Sequence, residues 1–89
     1  MKQYTWSYHE QTVSEETEKE IEVTHTIALR CSLLWGKAFV TIDGTEFNIS
    51  TKPFGLRGTQ QVFRLGDTPA ILDFPKKGAP AVIVDNEPL

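Results

Sequence analysis

The sequence predicts an all-β fold, an antiparallel β-sandwich of about seven to eight strands. Valine, isoleucine and threonine make up 22 of the 89 residues (6 + 6 + 10), and β-branched side chains favour strands. Turn-forming residues interrupt the chain at short intervals, and no segment keeps a helical period over about ten residues. Short strands with frequent turns are typical of two packed sheets, with an open barrel as the alternative. The length predicts a single domain over residues 1–89.

The first element is a predicted strand near the start of the chain. Tyr4, Trp6 and Tyr8 alternate with Thr5 and Ser7, which is the period of a half-buried strand. The strand is expected over residues 3–8. Residues 11–20 contain almost no apolar side chain, and they are predicted to form an acidic loop.

The second element is the clearest alternation in the sequence. Its odd-numbered residues are predicted to face the interior: Ile21, Val23, His25, Ile27, Leu29, Cys31 and Leu33. At about 3.3 Å per residue, a strand of this length spans roughly 43 Å, more than twice the usual length. A bend or bulge is therefore expected, carrying the chain from one sheet to the other.

Asp43-Gly44 predicts a tight hairpin, because aspartate and glycine tolerate the positive φ angles of a type I′ turn. Closing the turn between its two flanking residues fixes the register of both strands. Val40 is then opposite Phe47, and Ala38 is opposite Ile49, so that these four residues share one apolar face.

The rest of the chain is predicted to cross to the other sheet and finish it. Residues 52–59 contain Pro53, Gly55 and Gly58 and are expected to connect the sheets, anchored by Phe54 and Leu56. Three short strands follow, over residues 61–66, 70–74 and 81–85.

Charge and composition limit the partners and the compartment. Residues 1–22 hold six glutamates against two lysines, a sum of −4, so the remaining residues sum to +1 of the total −3. An acidic front and a near-neutral body argue against nucleic acid as a partner. No apolar stretch has the length of a membrane span, so no membrane partner is expected. The single cysteine suggests no disulfide, and cytoplasm is the expected location.

Few side chains in the sequence suggest catalysis. His25 and Cys31 are six residues apart on one strand, roughly 20 Å, which is too far for a nucleophile pair. His25 is predicted to be structural, donating to a backbone carbonyl, and Cys31 to be a small buried side chain. No catalytic residue, metal ligand or cofactor site is predicted.

Aromatic residues are the candidates for an interaction surface. Trp6, Tyr8, Trp35 and Phe39 are large rings for so small a domain, and Trp35, beside Gly36, is the leading exposed one. Such rings either close the sandwich, stack on sugars or anchor a protein partner.

Taken together, several short segments resemble the Fas apoptotic inhibitory molecule family over about residues 6–89. They are a strand led by histidine, a strand that starts with Gly-Lys and ends in an Asp-Gly hairpin, an aromatic strand ending in glycine, and a closing Ile-Val-Asp. The residues concerned are His25, Ile27, Leu29, Gly36, Lys37, Val40, Ile42, Asp43, Gly44, Glu46, Phe63, Leu65, Gly66, Ile83, Val84 and Asp85. The resemblance implies a β-sandwich without catalytic machinery that acts through protein contacts. The animal proteins of that family resemble two such sandwiches in tandem, whereas this chain supplies one.

The predicted function is a non-enzymatic interaction module that binds another protein or a second copy of itself. A domain this short buries only about 60 to 65% of its unfolded surface, so additional burial in a complex would stabilise it. The alternative is a carbohydrate-binding module that uses the exposed aromatic residues.

Overall fold

Two four-stranded antiparallel sheets make up the protein, and the computed structural model describes residues 1–89. Sheet A contains β1 (Lys2–Val13), β2 (Glu20–Ser32), β3 (Lys37–Ile42) and β4 (Thr45–Asn48) in that order. Sheet B contains β5 (Thr59–Leu65), β6 (Thr68–Phe74), β7 (Ala81–Val84) and β8 (Glu87–Pro88). The predicted all-β sandwich is confirmed, and each sheet consists of strands consecutive in the chain. No helix long and apolar enough to cross a membrane is present.

The hairpin at Asp43-Gly44 has the predicted register. Val40 pairs with Phe47 and Ile42 pairs with Thr45, while Ile49 N–H donates to the Ala38 carbonyl at 2.9 Å. Asp43 and Gly44 have φ angles of 49° and 87°, as a type I′ turn requires. Phe47, which the alternation places on the apolar face, is nevertheless half exposed, because β4 is the edge of its sheet.

The long strand β2 does not bend between the sheets, so that prediction is wrong. β2 pairs with β1 along its whole length, from Lys2 opposite Cys31 to Val13 opposite Glu20. Only Ile27 to Ser32 also pair with β3. The extra length of β2 therefore forms a two-stranded hairpin that extends past the rest of the sheet.

The predicted acidic loop is correspondingly shorter than expected. Residues 11–13 belong to β1 and Glu20 to β2, which leaves residues 14–19 as the connection. Ser14 N–H donates to the Lys19 carbonyl at 2.9 Å, and Glu18 N–H donates to the Ser14 carbonyl at 2.8 Å. We call residues 11–22, the projecting part of this hairpin, the acidic arm. Its polar sequence forms strands because pairing across the hairpin satisfies the backbone without a buried face.

The core lies between the two sheets. It is built from inward-facing side chains of both: Ile27, Leu29, Cys31, Ala38, Val40, Leu65, Ala70, Leu72, Phe74, Val82 and Val84, together with Leu56 from the connection. Burying one large aliphatic or aromatic side chain contributes about 1.5–3 kcal/mol. Of the two predicted anchors in the connection, Leu56 is fully buried, whereas Phe54 is 69% exposed. The anchor prediction is therefore right for Leu56 and wrong for Phe54, since Leu56 alone reaches the core.

Candidate protein-interaction surface

Lysine and arginine side chains are concentrated at one end of the sandwich, where β1 begins and the longer connections lie. Six of the nine are in or beside these segments: Lys2, Lys37, Lys52, Arg57, Lys76 and Lys77. We call this surface, with the turn at residues 33–36 and the connections at residues 49–58 and 75–80, the basic end. None of its six cations forms an ion pair; the four ion pairs of the protein involve His9, His25 and Arg30.

Hydrogen bonds fix the three segments of the basic end to one another. Thr51 N–H donates to the Gly36 carbonyl at 2.7 Å, and Phe54 N–H donates to the Leu34 carbonyl at 3.1 Å. Arg57 donates through one guanidinium nitrogen to the carbonyls of Pro75 and Gly78, at 3.2 and 2.5 Å. Four of the six cations, in the connections at residues 49–58 and 75–80, are therefore presented on loops that are tied together, which reduces the entropy lost on binding.

Apolar side chains are exposed beside these cations. Trp35 is 62% exposed, and Leu34 and Phe54 are also mostly exposed. Trp35 confirms the sequence prediction of an exposed ring, whereas nothing in the sequence pattern identified Leu34. Tryptophan and arginine together are typical of interface anchors, because each offers a large contact area and a polar group.

Two open clefts lie side by side at the basic end. One, of about 540 Å³, includes Lys2, Leu34 and Arg57 in its walls. The other, of about 490 Å³, includes Trp35 and Lys37. Cationic groups beside exposed apolar surface can bind a segment that carries carboxylates and apolar side chains together.

The other predicted aromatic candidates do not lie beside Trp35. Trp6 and Tyr8 are half-buried on the inward face of β1 and pack against the core. Phe39 is half-buried on the outer face of sheet A, where the Arg30 guanidinium carbon is 5.2 Å from the ring centroid. The four candidates therefore occupy three separate places, and only Trp35 is at the basic end.

The opposite end of the sandwich, with the turns at residues 43–44, 66–67 and 85–86, holds a polar cluster around His25. His25 is 7% exposed. Its Nδ1 is 2.6 Å from Asp43 Oδ2, and its Nε2 is 3.4 Å from Glu10 Oε1. The predicted bond to a backbone carbonyl is wrong, because the β2–β3 register brings the Asp43 carboxylate beside the ring. Glu10 also accepts from the Thr68 hydroxyl at 2.7 Å and from Asp67 N–H at 3.3 Å.

Hydrogen bonds shift the pKa values in this cluster. The hydrogen bond to Asp43 raises the pKa of His25 above its usual value, against the opposing effect of burial. The Thr68 hydroxyl is the main cause that lowers the pKa of Glu10. Burial tends to raise the pKa of Asp43, but hydrogen bonds from His25 and Thr26 N–H outweigh it and lower that pKa. Both ring nitrogens of His25 are engaged with carboxylates of sheet A. Glu10 in turn accepts from Thr68 and Asp67 at the β5–β6 turn of sheet B, so the cluster connects the two sheets as a charged clamp.

Cys31 is buried, as predicted, and unpaired. Burial raises the pKa of its thiol, which favours the unreactive protonated form. No group of His, Cys, Asp and Glu side chains has an arrangement that could hold a metal ion. The polar cluster and Cys31 are therefore explained by structural roles in the interior of the protein.

The basic end was missed by sequence reasoning because its cations come from four distant parts of the chain. The net charge of residues 23–89 is only +1, although the fold places five of their seven lysines and arginines at one end. The near-neutral sum of this part of the chain therefore conceals a cationic surface. A usable signal did exist: within residues 23–89 the tight turns contain aspartate, whereas the lysines occur in the longer connections and beside the turn at residues 33–36.

Comparisons with family models, with curated proteins and with solved structures found no match. The resemblance to the Fas apoptotic inhibitory molecule family consequently stays a prediction from the sequence.

Proposed function

We propose that the protein is a non-enzymatic β-sandwich domain that mediates protein–protein interaction through its basic end. The observation that supports this most is the coincidence of unpaired cations with the exposed side chains of Leu34, Trp35 and Phe54. The partner segment is acidic and also apolar. The sequence resemblance to a family that acts through protein contacts agrees with this proposal.

A protein segment fits this surface better than a nucleic acid does. Phosphate recognition uses cations and hydrogen-bond donors, and it gains nothing from an exposed leucine. Leu34 and Phe54 instead provide apolar area that an acidic peptide with alternating apolar side chains can cover.

The test uses a synthetic peptide in which glutamate alternates with valine, titrated against the ¹⁵N-labelled protein by NMR. We expect shifts of the Trp35 indole N–H and of the backbone amides of residues 33–37 and 51–57. Trp35→Ser should weaken binding by about tenfold or more, as loss of an interface anchor typically does. Phe47→Ser, which removes another half-exposed ring away from the basic end, should leave the affinity unchanged.

Three outcomes would contradict the proposal. They are no shift at the basic end, equal shifts with a peptide in which lysine replaces glutamate, and tighter binding of a DNA duplex than of the acidic peptide at the same salt concentration.

Carbohydrate binding is the second candidate, and the position of Trp35 favours it. The cleft beside Trp35 also contains Ser32 and Thr51, and a tryptophan flanked by hydroxyl groups can stack on and hydrogen-bond a sugar. Neutral glycans that quench the fluorescence of Trp35 in a Trp6→Phe background, independently of salt, would support this candidate over an acidic peptide.

A further inference from the structure

The acidic arm has the opposite character to the basic end and lies at the other extreme of the molecule. It contains Glu15, Glu16, Glu18, Glu20 and Glu22 against Lys19, a sum of −4. Of these glutamates only Glu22 is in an ion pair, with His9 at 3.0 Å. The arm thus presents carboxylates without partners, as the basic end presents cations without partners.

Apolar side chains are exposed on the acidic arm as well. Val13 is mostly exposed, and Ile21 is partly so. Both lie in the paired strands, where Val13 is opposite Glu20 and Ile21 is opposite Thr12. The arm is therefore an acidic segment with interspersed apolar side chains, which is the type of partner that the basic end was inferred to bind.

The acidic arm cannot reach the basic end of its own molecule. β1 starts beside the basic end at Lys2 and ends in the arm at Val13. Twelve residues of strand separate the two by about 40 Å at roughly 3.3 Å per residue, in a molecule whose longest dimension is 49 Å. Pairing with β2 along its full length keeps β1 extended.

We propose that the acidic arm of one molecule binds the basic end of a second copy, so that the protein associates head to tail. This inference rests on the proposed function of the basic end and names its partner. The contact joins two different surfaces, so it leaves a free arm and a free basic end on each pair. Such heterologous contacts add further copies rather than closing as a dimer.

Association by exposed charges depends strongly on salt. The Debye length is about 30 Å at 0.01 M ionic strength and about 3 Å at 1 M. We therefore expect the average mass, measured by sedimentation velocity and light scattering, to rise with protein concentration at low salt. At high salt it should return to that of the monomer.

Two charge-reversed variants test the contact from both sides. The arm variant carries Glu15→Lys, Glu16→Lys and Glu18→Lys, and the basic-end variant carries Lys52→Glu, Lys76→Glu and Lys77→Glu. All six side chains are exposed, so both variants should remain folded, as circular dichroism can verify. Each variant alone should be monomeric at low salt.

Mixing the two variants should restore association in pairs, because the unaltered acidic arm of the basic-end variant then meets the unaltered basic end of the arm variant. The control Glu87→Lys, which changes an exposed charge outside both surfaces, should associate as the unaltered protein does. The inference is overturned if the unaltered protein is monomeric at low salt. It is equally overturned if either variant alone still associates, or if the mixture does not.

Failure of this inference can be separated from failure of the proposed function. If the unaltered protein is monomeric and the glutamate–valine peptide still shifts the Trp35 indole, the basic end binds an acidic partner other than its own arm. If neither association nor peptide binding occurs, both proposals are wrong.

Discussion

Gly36→Ala is expected to destabilise the fold by about 2–4 kcal/mol, the largest effect of any exchange to alanine at a turn of this protein. Gly36 has a φ of 72°, and an added Cβ would lie 2.1 Å from the Lys52 carbonyl oxygen and 2.7 Å from that of Thr51. These atoms belong to the backbone, so the clash cannot be relieved by a side-chain rotation. The left-handed conformation alone costs a non-glycine residue about 1–2 kcal/mol, and loss of the hydrogen bond from Thr51 costs about 1 kcal/mol more.

The matched control for this exchange is Gly44→Ala. Gly44 also has a positive φ, of 87°, but an added Cβ would have no atom within 4 Å. Only the conformational cost of about 1–2 kcal/mol is expected there. Urea denaturation of both variants at one pH measures the difference, and equal losses would show that the contact between Gly36 and residues 51–52 does not stabilise the protein. A small domain has about 5–10 kcal/mol in total, so Gly36→Ala removes a substantial part.

The second expected result is a stability plateau between about pH 4.5 and pH 6.5 that depends on His25. The raised pKa of His25 means that its contribution is complete below the ordinary value of 6.5 and is lost as the pH rises through the folded-state value. The lowered pKa values of Asp43 and Glu10 mean that their contributions are complete above 3.8 and 4.5. Those contributions are lost as the pH falls through the folded-state values of these carboxyls.

His25→Gln should remove the alkaline side of this plateau. At about pH 6 we expect a loss of about 1–2 kcal/mol, at the low end of the usual range for hydrogen bonds to charged groups. The reduction reflects the 42% exposure of the Asp43 side chain, which lets solvent screen the pair. Midpoints of urea denaturation between pH 4 and pH 9 measure the profile.

His9→Gln is the matched control for the pH profile. His9 contacts Glu22 and the Thr24 hydroxyl, but its side chain is 59% exposed, so its exchange should leave the profile nearly unchanged. NMR titration should also show His25 titrating above its ordinary value. If the urea midpoints of His25→Gln and of the unaltered protein vary equally little with pH, a stabilising role for the clamp is excluded.

The parts of the fold that were predicted are those fixed by local chemistry. The Asp43-Gly44 turn determined the β3–β4 register, because a two-residue turn and a strand period of two leave one pairing. The alternation along β2 placed Ile27, Leu29 and Cys31 in the core, because side chains two residues apart in a strand share one face. In these cases the residues next to one another in the sequence determine the register and the buried face.

The parts that were not predicted depend on pairing between distant segments. The acidic arm was interpreted as a loop because its residues have no face to bury, yet pairing with β2 extends β1 to Val13. The β1–β2 and β2–β3 registers place the carboxylates of Glu10 and Asp43 beside His25. The directions of the strands bring the cations of the basic end to one end of the sandwich. Only the tertiary arrangement brings these charges together.

The order of the strands bears on how the chain folds. Because each sheet is a run of consecutive antiparallel strands, most pairings within a sheet join segments close in the sequence. Loop closure within either sheet is entropically cheap, and low contact order speeds folding. The contacts between sheets are the distant ones, and residues 49–58 form the single crossover. We therefore expect the two meanders to form early, and their docking over Leu56 to be the step that limits the rate.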